Sequence, residues 1–366
     1  MTEFSAEDRE AICETFGRLL ARECSEEALR KVIAADAGFD RSLWAQMGGL
    51  GLTGLMISPD YGGVGGSIEE VEAIMEVAGA SLYNGPYISS CVIAPMLLSK
   101  CSDKEFAASH LQNIANGHSI FAVAGCGSSG DWTAPPEVNV NMKNELTGEA
   151  GFVVHARNAD ACLVYANQDD ELGVYLVKTG GEGVTVNPHS SDDQTLRLSS
   201  MFFENAPAQK LEGVSGKHIN IALQMALVAL AGEQVGATRH IFNLTIEYLN
   251  TRFQFGQPIG RFQALKHMAA DLLVEVENAS SAACHSARAL AARSPAASVL
   301  TYLAAFTCAD NYRHVAAEAI QLHGGIAYTM EHPAHLYWRR AQTGQWLFGS
   351  SDTFRETYLS LMEITL

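Results

Sequence analysis

The chain has 366 residues, enough for two or three folding units and a sizeable core, which excludes a peptide-sized or disulfide-stapled scaffold. Apolar residues make up 48% and charged ones 18%, the balance of a globular chain rather than a disordered one. Lys and Arg number 24 against 41 Asp and Glu, a formal charge of −17 that argues against nucleic acid or an anionic membrane as the main partner.

From Ser5 to about Ser99 apolar residues recur at helical spacing, as in Ala11, Ile12, Phe16, Leu19 and Leu20, which predicts a set of short helices. The first residues carry acids where an export signal needs a basic region and an apolar stretch. Gly-rich breaks fall at Gly48-Gly49-Leu50-Gly51 and Tyr61-Gly62-Gly63-Val64-Gly65-Gly66, and Ser67-Ile-Glu-Glu after the second has the form of a capping box that opens a helix. From about Ser119 to Leu211, short β-branched and aromatic runs alternate with Gly, Asn and Asp: Phe152-Val-Val, Cys162-Leu-Val-Tyr-Ala, Gly173-Val-Tyr-Leu-Val, Gly183-Val-Thr-Val and Leu198-Ser-Ser-Met-Phe-Phe. That texture predicts an antiparallel sandwich or barrel. From Ser215 on, helical periodicity returns over Ile219–Thr251, Phe262–Arg293, Ala296–Leu322 and a last segment through Leu366, which predicts a four-helix bundle.

The expected architecture is therefore α+β and mostly α: an N-terminal helical domain (1–117), a central antiparallel β domain (118–212) and a C-terminal four-helix bundle (213–366). The most apolar stretch, Ile221 to Gly232, is interrupted by Gln224 and shorter than the roughly 20 residues of a bilayer span, so no membrane segment is expected. Eight cysteines (13, 24, 91, 101, 126, 162, 284, 308) are scattered without a CxxC pair, which predicts reduced thiols, no zinc site and a cytoplasmic setting. Gly49-Leu-Gly-Leu-Thr-Gly54 matches GxGxxG, but a helical stretch precedes it and no βαβ texture surrounds it. The chain has neither a P-loop nor a GxSxG elbow. His332 and His335 have no third ligand nearby, and Pro333 would break the helix aligning them, so no metal is expected.

Two segments carry more chemistry. In Thr251-Arg-Phe-Gln-Phe-Gly-Gln-Pro-Ile-Gly-Arg-Phe-Gln-Ala-Leu-Lys-His267, a helix end and a glycine turn gather Arg252, Gln254 and Phe255: a guanidinium suited to a diphosphate, an amide for a ribose or base edge, and a ring for a flat heterocycle. The same residues also suit an ordinary helical hairpin in which Arg252 caps carbonyls. In Gln321-Leu-His-Gly-Gly-Ile-Ala-Tyr-Thr-Met-Glu-His-Pro-Ala-His-Leu-Tyr-Trp-Arg-Arg340, the glycine pair lets backbone N–H groups approach a ligand, or else simply caps the helix.

These two strings, together with Pro59-Asp-Tyr-Gly-Gly-Val-Gly-Gly66 and the order helices, sheet, bundle, resemble the acyl-CoA dehydrogenase family of flavoproteins over essentially the whole chain. The resemblance implies oxidation of a CoA thioester at Cα–Cβ, in which a carboxylate takes the α-proton and a hydride leaves Cβ for FAD. It further implies that Arg252, Gln254, Phe255, Gln321, Gly324 and Gly325 reach across a subunit interface to the pyrophosphate and adenosine of a neighbour's FAD, and that an electron-transfer flavoprotein takes the electrons.

The chain departs from the family in its other half. The family's base, a Glu in a Tyr-Glu-Gly-Thr string, is set against Gly349, with Ser351 against the threonine. The alternative Glu-Arg pair is replaced by Ala226-Leu227. The hydroxyls and the indole that hold the flavin ring are replaced by Ala124, Val154 and Phe152, while Ser129, Gly130 and Asp131 keep some donors. Cys126 in the same loop has no basic neighbour and reads as structural.

An intact donated half beside a degraded local half is what a non-catalytic subunit of an α2β2 acyl-CoA dehydrogenase needs, like those acting on steroid CoA esters. The catalytic subunit would then be a partner chain. The alternatives are a homotetramer with an unusual base, for which Glu233 and Asp352 (with Glu356 beyond it) are the candidates, and a flavin-free assembly or regulatory protein.

Overall fold

The computed structural model describes residues 4–169 and 171–363. Six helices come first: α1 (Ala6–Glu23), α2 (Glu26–Ala34), α3 (Arg41–Gly49), α4 (Ile68–Ala80), α5 (Ala94–Lys100) and α6 (Lys104–Ala115). Several of their starts are set by side chains that accept otherwise orphaned N–H groups. Asp40 caps α3 and Asp103 caps α6. At α4 the expected capping box forms: Glu70 Oε2 accepts from Ser67 N at 2.7 Å and from Ser67 Oγ at 2.6 Å.

Eight strands follow: β1 (Phe121–Ala124), β2 (Val138–Val140), β3 (Glu145–Val154), β4 (Ala161–Gln168), β5 (Glu171–Lys178), β6 (Val184–Pro188), β7 (Leu198–Pro207) and β8 (Gln209–Lys210). They form one sheet in the order β6-β7-β3-β2-β4-β5-β8, with β1 also on β4. The ladders are antiparallel, as expected, except that β1 and β2 meet β4 in parallel. The sequence reading found the β-branched runs in β4 to β7 but passed over β1, β2 and most of β3, where Ala, Asn, Glu and Gly dilute the strand signal.

The remaining helices are α7 (Gly216–Thr251), α8 (Gln263–Ala291), α9 (Ala297–His323), α10 (Ala334–Gly344) and α11 (Ser351–Leu361), with a short hairpin of β9 (Phe253–Gln254) and β10 (Gln257–Pro258) after α7. The expected continuous last helix is two, because Phe348 at φ +64° and Gly349 at φ +138° leave helical space between them. Leu366, its expected end, lies outside the described residues. Helix α7 is long and apolar enough to cross a bilayer, but 78% of its most apolar window is buried in the fold, as a core helix requires.

The described chain forms two compact units. One holds the residues up to Arg9, Arg30–Val71 and Asn84–Ala226, and with them the sheet; the other holds Glu10–Leu29, Glu72–Tyr83 and Leu227–Leu366. The sequence boundaries at 117/118 and 212/213 instead mark changes in secondary-structure texture. In the second unit the core between α7, α8 and α9 is made of small residues, Ala231, Val235, Ala279, Ala283, Ala304 and Cys308, so the helices pack closely. Helix α4 meets α7 closer still. A Cβ on Gly79 would stand 1.9 Å from Glu233 O, and one on Gly236 would stand 1.7 Å from Glu76 O, so only glycine permits this crossing.

Candidate functional site

The two segments singled out by sequence converge in the second unit. The ring of Tyr248, one turn before Arg252 on α7, stacks on the ring of His323 at the end of α9 with centroids 4.7 Å apart. This contact brings the Arg252 hairpin beside the Gln321–Gly325 turn. His323 is buried; its Nδ1 donates to Ala319 O at 2.7 Å, and its Nε2 has no hydrogen-bond partner among the described residues. Burial holds its pKa below the ordinary histidine range, against the pull of that hydrogen bond.

The hairpin is a tight two-residue turn. Gln254 pairs with Gln257, and the residues between them, Phe255 at φ +52° and Gly256 at φ +78°, are both left-handed. Asn or Asp is the usual first residue of such a turn; a phenylalanine there costs backbone strain and leaves its ring 90% exposed. Arg252 and Gln321 are exposed, and neither side chain is bonded to another described residue. The Gln254 amide donates to Phe253 O. Gly324 caps α9, its N–H reaching Gln321 O and Ile320 O, so the capping reading holds too. Space nevertheless stays open around Gly256, Gly324 and Gly325, where an added Cβ would meet nothing within 4 Å. A free guanidinium, a free amide, an outward ring and bare backbone fit the diphosphate and nucleoside of a flavin dinucleotide.

Gly349, which the resemblance sets against the family's base, carries no side chain. Gly349 has φ +138°, and the Phe354 ring lies 2.6 Å from where its Cβ would stand, so no side chain fits there. Setting the glycine of the family string on Gly349 instead would put Phe348 in the carboxylate's place and Ser350 in the threonine's; neither setting supplies an acid. Ser350 is the N-cap of α11, accepting from Thr353 N at 3.2 Å. Ser351 Oγ is buried without a partner among the described residues.

The other acids sit elsewhere. Glu233 accepts from Arg340 Nε at 2.8 Å, the two side chains 12% and 3% exposed, so its carboxylate neutralises a buried guanidinium that also donates to Tyr83 O. Asp352 is 91% exposed and paired with Arg355 at 3.0 Å in the first turn of α11, the place of a helix-capping acid. Glu356 is exposed on the same helix. Neither Glu233 nor Asp352 has the environment of a proton-abstracting base.

In the first unit, the loop after β1 and the end of β3 form the other surface. Ala124 and Val154 carry no hydroxyl, and the remaining polar side chains serve the loop itself. Ser128 Oγ donates to Glu137 at 2.9 Å, Ser129 Oγ accepts from Asp131 N at 3.2 Å, and Asp131 Oδ1 accepts from Thr133 N at 2.8 Å. Phe152 sits on a β-bulge at φ +51°, its ring parallel to His189 at 5.1 Å and close over Gly130. Burial pushes the Cys126 thiol up to about 12, in keeping with a structural role. The polar edge of a flavin ring would find few free donors here, so this surface does not fit the ring as the hairpin patch fits the dinucleotide.

Residues 6–118 match the acyl-CoA dehydrogenase N-terminal domain and residues 217–360 the acyl-CoA dehydrogenase C-terminal domain. Acyl-CoA dehydrogenase IpdE2 of Mycobacterium tuberculosis is 31% identical over 340 residues, covering 92% of this chain and 91% of that protein. Acyl-CoA dehydrogenase FadE34 of the same organism is 34% identical over 318 residues, 86% of this chain but 41% of that protein, so the chain spans less than half of that relative's length. Among solved structures, one chain of the ChsE4-ChsE5 complex from Mycobacterium tuberculosis shares the fold with a TM-score of 0.91 at 24% identity over the whole of both chains. Butyryl-CoA dehydrogenase from Megasphaera elsdenii shares it with a TM-score of 0.85 at 20% identity, over 99% of this chain and 100% of that one. The chain belongs to the acyl-CoA dehydrogenase family, FAD-dependent oxidoreductases that act on acyl-CoA thioesters.

Proposed function

We propose that this chain is the subunit of a heteromeric acyl-CoA dehydrogenase that completes a partner's FAD site without supplying the base. The observation that carries this is the contrast between its two surfaces. The hairpin patch offers an unbonded Arg252 and open glycines, whereas the base position holds Gly349, which tolerates no side chain, or in the other setting Phe348. FAD, when bound, supplies the acceptor for the substrate's β-hydride. In this reading Arg252 pairs with the diphosphate and Gln254 and Gln321 bond the nucleoside. Phe255 covers its flat ring system, and the Gly324-Gly325 backbone comes close to the same group.

The α-proton is then taken by a carboxylate of the partner, and the acyl pocket lies mostly in that chain. The ChsE4-ChsE5 relative is a complex of two different chains, and FadE34 has room beyond the matched part for a second unit of this size; both accord with the pairing. A steroid or other bulky acyl group, an electron-transfer flavoprotein as acceptor and a cytoplasmic setting complete the proposal.

The test is the flavin content and mass of the purified chain, alone and co-expressed with a candidate partner. The expected outcome is a colourless chain that becomes a yellow tetramer with one FAD per two subunits. A yellow homotetramer with one FAD per chain that dehydrogenates an acyl-CoA would overturn the proposal.

A further inference from the structure

A cavity of about 390 Å³ in the first unit lies between residues 33–37, at and after the end of α2, and the segments carrying Arg157 and residues 188–199. The chain is strongly acidic, yet this cavity is lined by Arg157, Arg197 and His189 with Asp36 as its one carboxylate. Arg197 has no acid in contact among the described residues. Its terminal nitrogen donates to the neutral carbonyls of Ile33 and Ala35 at 2.6 and 3.1 Å, and its Nε is buried without an acceptor among the described residues. A half-buried guanidinium with neither counter-ion nor complete hydrogen bonding is an electrostatic cost that a bound anion would relieve.

Arg157 shows what such an anion would look like. Both of its terminal nitrogens hold the Asp36 carboxylate, at 3.2 and 2.9 Å, in the two-pronged geometry that guanidinium offers to carboxylate and phosphate alike. Asp36 is 86% exposed, so water competes for this pair and the pair is weak. Arg157, by its hydrogen bond and its charge, holds Asp36 below the ordinary carboxylate range, with Arg197 adding at longer range, and both guanidiniums line the one cavity. The Gln194 amide, exposed and unbonded, and His189, whose Nε2 already faces Ser200 Oγ, line the same space. The Phe152 ring, stacked on His189, extends an aromatic surface from its edge.

We propose that this cavity is a binding site for a phosphate dianion, free or carried as a monoester, with Arg197 as its standing charge and Asp36 as a tethered competitor that the ligand displaces from Arg157. A dianion can engage two guanidiniums at once, which a single carboxylate cannot match. Two sources carry this chemistry, free inorganic phosphate and a phosphorylated nucleotide such as the 3′-phosphate end of a CoA thioester. The site owes nothing to the chain's flavin chemistry, so it stands or falls apart from the function proposed above.

Isothermal titration of the purified protein, in whichever assembly it forms, with inorganic phosphate, adenosine 3′,5′-bisphosphate, CoA and dephospho-CoA tests it. Saturable binding of phosphate or of the bisphosphate is expected, weakened about tenfold by Arg157→Gln and strengthened several-fold by Asp36→Asn, which frees Arg157 and removes a like charge. Equal affinity for phosphate and bisphosphate assigns the site to the free anion. A preference for the bisphosphate, and for CoA over dephospho-CoA, assigns it to the nucleotide. Absence of saturable binding overturns the proposal, as does weakening by both substitutions, which would make the Asp36–Arg157 pair a clasp alone. Asp36→Asn is an exposed isosteric change, so its result stands even if Arg157→Gln impairs folding.

Discussion

Phe255 concentrates the conflict between folding and function in one residue. Its left-handed backbone and outward ring both oppose stability of the lone chain, and a β-turn of this kind prefers asparagine. Phe255→Asn is therefore expected to raise the unfolding free energy of the isolated chain by about 1 kcal/mol, read as a higher denaturation midpoint. The same change is expected to weaken the flavin-bearing complex. A variant neither more stable alone nor weaker in assembly would remove the functional reading of the strain. Gly349 makes the opposite case. Putting a carboxylate back by Gly349→Glu is expected to lower stability by about 2 kcal/mol, because the new Cβ meets the Phe354 ring and glycine alone tolerates φ +138°, and to restore no dehydrogenation. Measured turnover in that variant would show that the position can still serve as the base. The glycine was visible in the sequence, but its surroundings were not: only the fold shows a left-handed backbone with the Phe354 ring against the place of a side chain.

At the scale of elements, the legible features were those with a local cause. Ser67 and Glu70 announce the start of α4 through hydrogen bonds three residues apart, and the long periodic helices α7, α8 and α9 fall where apolar spacing puts them. Features that depend on a distant neighbour were not legible. Strand β1 is held by parallel pairing with β4, and Gly79, Gly232 and Gly236 look like weak points in helices until α4 and α7 are seen to press backbone against backbone. The two acids considered as bases were visible as residues, but the Arg340 that neutralises Glu233 is over a hundred residues away in sequence. The crossing makes a quantitative prediction. Gly236→Ala places a methyl 1.7 Å from Glu76 O, so α4 and α7 must separate, and a loss of about 3 kcal/mol in denaturant unfolding is expected. Gly216→Ala, at the open start of α7, is the control and should be neutral or slightly stabilising. If the two substitutions behave alike, close packing is not the reason for the glycine.

For the molecule as a whole, the residues that the proposal sets against FAD are those that the sequence singled out by their chemistry. Arg252, Gln321, Gly324 and Gly325 stand exposed, unbonded or bordered by open space, as the proposed contact with a group outside this chain requires. The fold itself follows from the hydrophobic pattern, whereas the proposed division of labour between subunits rests on a set of losses that only a family resemblance makes visible: Ala124, Val154, Gly349. The patch also exposes Phe253, Phe255, Ile326, Tyr328 and Met330, so the chain alone carries apolar surface that association would cover. These two properties, free polar groups and uncovered apolar ones, separate in the variant Arg252→Ala. Removing the guanidinium deletes a charge-assisted contact to a diphosphate, of about 2 kcal/mol, but leaves the apolar surface and the helix end intact. The expected result is a complex that still assembles, by sedimentation, but retains FAD about thirtyfold less tightly, read as flavin absorbance lost on dilution. A complex that keeps its flavin unchanged would place Arg252 among the helix-capping residues and favour a purely assembling role. Loss of the assembly itself would make the guanidinium an interface residue first, with flavin retention its consequence.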